Sequence, residues 1–170
     1  MVANAAPAAL SAGVAGPLRA VLVATLAALF LNGFVVGAGI IPSGSMTPTL
    51  EPGDRVLVDR LIFAGPGGPG GRWLPVREVA PGDVLWLLSP DGSGRALVKR
   101  CAAVAGDRFA GETVAAGRVA VLGDHREDSW DSRAFGTVPR ASVGGRVFLV
   151  LWSAPPGGSP RFARVARLVR

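Results

Sequence analysis

Lys99 is the only lysine among the chain's 18 Lys and Arg residues. Arginine stays protonated under all ordinary conditions and cannot accept a proton in catalysis, whereas a lysine can once burial lowers its pKa. A plainer explanation is available: an Ala-, Gly-, Arg- and Pro-rich coding bias leaves one lysine by chance. The chemical reading gains weight from Ser45, set in Ile41–Leu50, IPSGSMTPTL. Pro42 and Pro48 stiffen this stretch, and Gly44 permits close approach of another chain. A neutral Lys99 amine within hydrogen-bond reach of Ser45 is a general base beside a nucleophile. Read without chemistry, the same serine segment is a linker.

A third polar segment could brace such a pair. Gly123–Pro139 reads GDHREDSWDSRAFGTVP and gathers Asp124, Arg126, Glu127, Asp128, Asp131 and Arg133 within a few turns of chain. A solvated loop with internally paired charges has this composition too. A hydroxyl such as Ser129 is suited to orient a lysine amine, with Asp131 and Arg133 paired to hold the loop.

These segments need a scaffold and a place. From Ala20 to Ile41 there is no charge, and only Thr25 and Asn32 are clearly polar. At about 1.5 Å per residue a helix over that run reaches roughly 33 Å, enough for a bilayer core of about 30 Å. The run exceeds the usual length of a signal-peptide core, so an uncleaved anchor is expected over a cleaved leader. Arg19 and the amino terminus precede it, which places the N-terminus in the cytoplasm and the rest of the chain across the membrane.

After the span, short apolar runs alternate with turn signals. Arg55–Ile62, Val84–Leu88, Ala96–Ala105, Arg118–Leu122 and Arg146–Trp152 read as strands, separated by Pro52-Gly53-Asp54, Pro81-Gly82-Asp83, Asp91-Gly92 and Gly106-Asp107. The expected fold is mainly β: one N-terminal transmembrane helix followed by a compact antiparallel sheet or partly closed barrel. The expected division is a poorly ordered lead-in over 1–17, an anchor over 18–41 and a catalytic β domain over 42–153. A Pro/Gly break and a basic tail then fill 154–170. Ala64–Gly71, AGPGGPGG, reads as a flexible loop. In the tail, Arg161, Arg164, Arg167 and Arg170 alternate with apolar residues, a pattern for a short amphipathic helix at a lipid surface or a frayed end.

Composition narrows the partners. A net charge of +6 invites a nucleic-acid reading. The arginines are dispersed, Tyr is absent and no recognised binding motif occurs, so none is expected. With one His and one Cys, a zinc site is not expected, and Cys101 has no internal disulfide partner. The mean hydropathy of +0.41 points to apolar mass outside the core, in the expected span, and a basic tethered domain more simply faces anionic lipid headgroups.

The three segments, in this order after an N-terminal span, resemble the bacterial type I signal peptidases, the Ser/Lys membrane proteases of family S26. IPSGSMTPTL resembles the serine box, VKRCAAVAGD the lysine box and GDHREDSWDSRAFGTVP the third box. The Gly53–Val58 and Pro81–Val84 stretches resemble the family's intermediate strands, and the likeness runs over about residues 19–152.

The resemblance implies a serine endopeptidase at the outer face of a bacterial plasma membrane that cleaves signal peptides from exported preproteins without a cofactor. It implies Ser45 as nucleophile and Lys99 as base, with the Ser43 hydroxyl and Ser45 N–H as oxyanion hole. Ser129 would bond the lysine amine, Asp131 and Arg133 would form a supporting ion pair, and Met46 would line the substrate groove. Small residues at the first and third positions before the cut are the implied substrate signature.

Three departures stand out. Val104-Ala105 replaces the usual Leu-Pro, His125 the usual Asn, and Glu127-Asp128 the usual Asp-Asn. His125, the sole histidine, raises a Ser/His alternative, although Lys99 already fills the base position. The short distance from Asp107 to Val119 leaves room for only a minimal second domain. Rival readings are a specialised S26 processing peptidase, for instance one maturing a conjugative pilin, a self-cleaving Ser/Lys regulator, and an inactive membrane-tethered module that binds preproteins.

Overall fold

The computed structural model describes residues 10–30, 35–63 and 76–170. It divides into two units, Met1–Val35 and Val36–Arg170.

In the first unit, helix α1 spans Leu10–Phe30. Ala and Leu favour a helix here, and Pro17 lies inside it. Leu18, Val21, Leu22, Val23, Leu26 and Leu29 are exposed. Among the described residues, no helix is long and apolar enough to cross a membrane. The expected span also ends earlier than its hydropathy suggested. Residues 31–34 lie outside the described residues, and Val36–Ile40 form strand β1. Apolar character alone does not separate strand from helix. Gly37 and Gly39 each disfavour a helix by about 1 kcal/mol, and the ladder that β1 makes decides the outcome.

The second unit is mainly β. After β1 come β2 (Asp54–Asp59), β3 (Val84–Leu88), β4 (Ala96–Val104), β5 (Arg108–Phe109), β6 (Glu112–Thr113) and β7 (Arg118–Leu122). They are followed by the one-turn helix α2 (Ser132–Phe135), β8 (Val138–Pro139), β9 (Val143–Ser153) and β10 (Arg167–Leu168). The main sheet has the order β1-β2-β9-β3-β4-β7-β8, antiparallel throughout, and β5 pairs with β6 as a separate hairpin. The five expected strands are present within a few residues. β2 stops early because Asp59 Oδ1 accepts the N–H groups of Leu61 and Ile62, both at 3.0 Å, turning the chain. The Gly/Pro-rich segment 64–71 and the first nine residues of the lead-in lie outside the described residues.

The sheet curls on itself. β2 and β9 slip register twice, and such irregularities sharpen the local twist. β1 and β3 are not neighbours in the sheet, yet a Cβ on Gly39 would collide with the Trp86 indole. Only glycine lets that ring lie against β1. The curl encloses one apolar cluster that includes Ile41, Met46, Leu50, Val56, Val58, Val84, Val147 and Val150. A second cluster, with Leu85, Leu87, Cys101, Val119 and Val121, lies apart from it. Alternation along β3 sends Val84 to the first cluster and Leu85 and Leu87 to the second.

The tail departs from expectation. Neither an amphipathic helix nor a frayed end forms. β9 is longer than its neighbour β3, which pairs with its first half, and β10 takes the free edge beyond at Arg167↔Val150 and Leu168↔Leu149. Val169 joins the first cluster, and Arg164 is buried. The arginine spacing matched a helical period, but edge pairing and ion pairs with the body of the domain prevail over local pattern.

Candidate active site

Ser45 sits on a single 3-10 turn, Gly44–Met46, directly after β1. Two buried apolar side chains hold that turn, Met46 at 1% exposure and Leu50 at 0%. Thr47 N–H donates to Gly44 O and Leu50 N–H to Met46 O, both at 2.9 Å. Ile41 N–H donates to Asp54 O and Gly53 N–H to Ile41 O, closing the loop at its base. The serine is thereby fixed at the rim of the core, half-buried.

Lys99 comes from β4, where Lys99, Cys101 and Ala103 alternate inward. It stands opposite the fully buried Leu85 in the β3–β4 register and is 3% exposed. Its Nζ donates to Ser45 Oγ at 2.7 Å and to Ser129 Oγ at 3.1 Å. Burial pushes the amine below the usual lysine range. The charges of Asp131 and Asp128 oppose that shift, and Arg133 adds to it. Loss of hydration around the ammonium outweighs the two carboxylates, and the neutral amine is favoured relative to a lysine in water.

The loop after β7 supplies the third side of the site. Asp131 is fully buried and caps α2. It accepts from Gly123 N–H at 3.0 Å, from Arg133 N–H at 3.2 Å and from the Arg133 guanidinium at 2.9 Å on each oxygen. Burial opposes ionisation of Asp131, but these donors and the Ser129 hydroxyl together hold its carboxyl well below the usual carboxylate range. Ser129 thus stands between the two charged groups, accepting from Lys99 Nζ and helping to lower the Asp131 carboxyl. His125 N–H donates to Ser45 O at 3.1 Å, so this loop also grips the nucleophile's backbone. The His125 side chain is exposed, while Lys99 occupies the place beside Ser45 Oγ.

A groove of about 390 Å³ opens over the pair. Ser43, Ser45, Met46 and Lys99 line it, with Ile40, Trp86, Asp128 and Trp130. Met46 is both core anchor and groove floor. Ser43 Oγ lies 3.5 Å from Ser45 Oγ. The structure therefore brings Ser43, Ser45, Met46, Lys99, Ser129, Asp131 and Arg133 to one place. Sequence reasoning missed Trp86, Trp130 and Ile40. An isolated Trp or Ile in a strand gives no local sign of facing a groove, because curling of the sheet decides it. Gly123 was also missed. A Cβ there would collide with Ser129 Oγ and with Ser45 O, so the loop can close over the serine only with glycine.

The signal peptidase family, peptidase S26, matches residues 15–110 and 108–152. The chain belongs to this family. It is 25% identical over 173 residues to the probable signal peptidase I-2 of Synechocystis sp., covering 82% of this chain and 74% of that one. It is 28% identical over 167 residues to signal peptidase I of Leptolyngbya laminosa, covering 79% and 78%. Subunit 1 of the mitochondrial inner membrane protease of Xenopus tropicalis is 30% identical over 128 residues, covering 69% and 70%. The serine turn, Lys99 and the Gly123–Pro139 loop all fall within the residues that S26 matches.

Proposed function

We propose that this chain is a membrane-anchored serine endopeptidase that removes signal peptides from exported preproteins with a Ser45/Lys99 dyad. The observation that carries the reading is the 2.7 Å contact between Lys99 Nζ and Ser45 Oγ in a buried setting that favours the neutral amine. S26 membership and the signal peptidase I relatives support the substrate class.

The contact between Lys99 Nζ and Ser45 Oγ and the membership of S26 support the following steps. A preprotein segment lies extended in the groove with its scissile carbonyl over Ser45. The Ser45 hydroxyl gives its proton to Lys99 Nζ as Oγ attacks the carbonyl carbon. The oxyanion is received by the Ser45 N–H and the Ser43 hydroxyl, and one such donor is worth about 10²–10³ in rate. The Lys99 ammonium then protonates the leaving amine, and the mature protein departs. Water, deprotonated by the same amine, hydrolyses the Ser45 ester and frees the signal peptide. Ser129 holds the amine towards Ser45 through both halves. Asp131 and Arg133 hold Ser129, and Met46 shapes the groove floor.

The anchor belongs to this proposal. The uncharged part of α1 from Ala20, with its exposed Leu and Val side chains, supports it. Its orientation, with the N-terminus cytoplasmic and the catalytic domain on the extracytoplasmic side of a bacterial plasma membrane, rests on Arg19. A tether of this kind holds enzyme and cleavage site at one interface and raises their effective concentration.

The test is incubation of the full chain, purified in detergent micelles, with a preprotein carrying Ala at the first and third positions before its cut. Mass spectrometry of the products is expected to place one cut directly after that signal. Cuts scattered elsewhere, or none, would remove the signal-peptide reading. Carbonate extraction of cell membranes tests the anchor, and release of the chain into the soluble fraction would overturn it.

A further inference from the structure

Arg164 lies in the C-terminal tail, beyond residue 152 where the family match ends. It is 8% exposed. Burying a guanidinium is costly unless its donors are paired, and this one spends all three nitrogens on a single stretch of chain. Nη2 donates to Asp54 Oδ2 at 2.6 Å and to Thr49 O at 3.0 Å. Nη1 donates to Glu51 Oε1 at 3.0 Å and to Pro48 O at 3.4 Å, and Nε to Asp54 Oδ1 at 3.3 Å. Arg161 adds a second grip: Nη1 on Glu51 Oε2 at 2.5 Å, Nη2 on Pro52 O at 2.6 Å and Nε on Ser153 Oγ at 2.8 Å.

The gripped stretch, Pro48–Asp54, leads directly out of the serine turn. Leu50 N–H bonds Met46 O within that turn. Thr49 is held from two directions, its carbonyl by Arg164 and its hydroxyl by Arg100 Nη2 at 3.2 Å. Arg100 follows Lys99 on β4 and also takes Asp124 of the third segment with two bonds of 2.8 Å. The loop after the nucleophile is therefore suspended between the tail and the strand that carries the base. The tail is itself fixed by β10 pairing and by Val169, which shares a core cluster with Met46.

We propose that Arg164 is a positioning residue for the reaction: it locks the Pro48–Asp54 loop so that Ser45 Oγ stays in line with Lys99 Nζ. The proposal rests on the reading of Ser45 as nucleophile. Carbonyl oxygens and carboxylates arranged around one planar fork suit arginine, and a lysine ammonium reaches only part of them. A shift of the loop draws Ser45 Oγ off Lys99 Nζ, while the groove walls from Trp86 and Trp130 lie on other elements and stay in place. The loss therefore falls on turnover.

The test compares wild type, Ser45→Ala, Arg164→Gln, Arg164→Lys and Arg161→Gln as full chains in micelles, with preprotein cleavage expressed per folded molecule and folding followed by circular dichroism. Arg164→Gln is expected to lose roughly 10- to 100-fold in kcat, the range for a nucleophile misplaced by about 1 Å, with KM nearly unchanged. Arg164→Lys is expected to recover part of that loss, and Arg161→Gln to show a smaller loss of the same kind. An unchanged kcat per folded molecule, or a loss confined to KM, overturns the positioning role. Should Arg164→Gln not fold, Arg161→Gln decides by the same criterion. Cleavage by Ser45→Ala would sink the nucleophile reading itself. An inert Ser45→Ala beside a fully active Arg164→Gln would sink only the role of the tail.

Discussion

Lys99 Nζ and Ser45 Oγ meet at 2.7 Å although 54 residues separate them in the chain. The serine follows β1, at one end of the sheet order, and the lysine lies on β4, four strands further along. Curling of the sheet, with Gly39 against Trp86, is what closes that distance. The contact is thus a product of the whole second unit, and perturbing either the curl or the loops that hold its ends has a chemical consequence.

Cleavage should depend on pH through the amine. The base acts only when neutral, so kcat/KM is expected to fall as pH drops through the Lys99 pKa, which burial sets below the ordinary lysine value. Asp128 opposes that lowering. Asp128→Asn should therefore move the acid limb to lower pH, and Arg133→Gln should move it to higher pH. A pH–rate profile of the three proteins checks the signs, and an acid limb that moves in neither variant contradicts the lysine assignment.

Lys99→Met should be inert yet stable. A buried lysine with a lowered folded pKa binds fewer protons when folded than when unfolded, so its burial penalty is absent at high pH and grows as pH falls. The melting temperature of Lys99→Met relative to wild type is expected to rise as pH falls from the ordinary lysine value of about 10.4 to the lowered folded one, and to level off below it. A constant difference across that range would show that the lysine is not desolvated.

Gly123→Ala should damage chemistry more than folding. The new methyl meets Ser129 Oγ and Ser45 O, two groups of the site. A drop of about 10²-fold in kcat is expected from a displacement of this order, with cooperative unfolding retained. Wild-type turnover in that variant would contradict the packing of the third segment over the serine.

Asp131→Ala should cost stability, because it strips the acceptor from the buried Gly123 N–H and from the cap of α2. A loss of about 1–3 kcal/mol is expected, measured by denaturant unfolding. The folded carboxyl lies below its usual range. Its contribution is therefore present above the unfolded value near 4 and disappears as pH falls through the folded one. Asp131→Asn should flatten that acid dependence, and an unchanged slope would contradict the ionised pair.

The chemistry was more legible in the sequence than the architecture around it. Ser45, Lys99 and the Ser129–Arg133 run could be found because their residue types are unusual for their surroundings, a lone lysine and a serine between prolines. Strands β3, β4 and β7 were legible from dense Val and Leu between Gly-Asp turns. β1 was hidden because VGAGI continues an apolar run, and only its pairing with β2 distinguishes a strand from a helix end. The tail was hidden for a related reason: its arginines fit a helical period, while their partners Glu51 and Asp54 lie more than 100 residues earlier. Trp86 and Trp130 became groove residues only through the curl.

The central claim is tested most directly by cleavage of one preprotein, in micelles, by wild type, Ser45→Ala, Lys99→Arg and His125→Ala side by side. Loss of cleavage in Ser45→Ala and Lys99→Arg, with turnover retained in His125→Ala, is the predicted result. An active Lys99→Arg beside an inert His125→Ala would contradict it and place the base on the histidine.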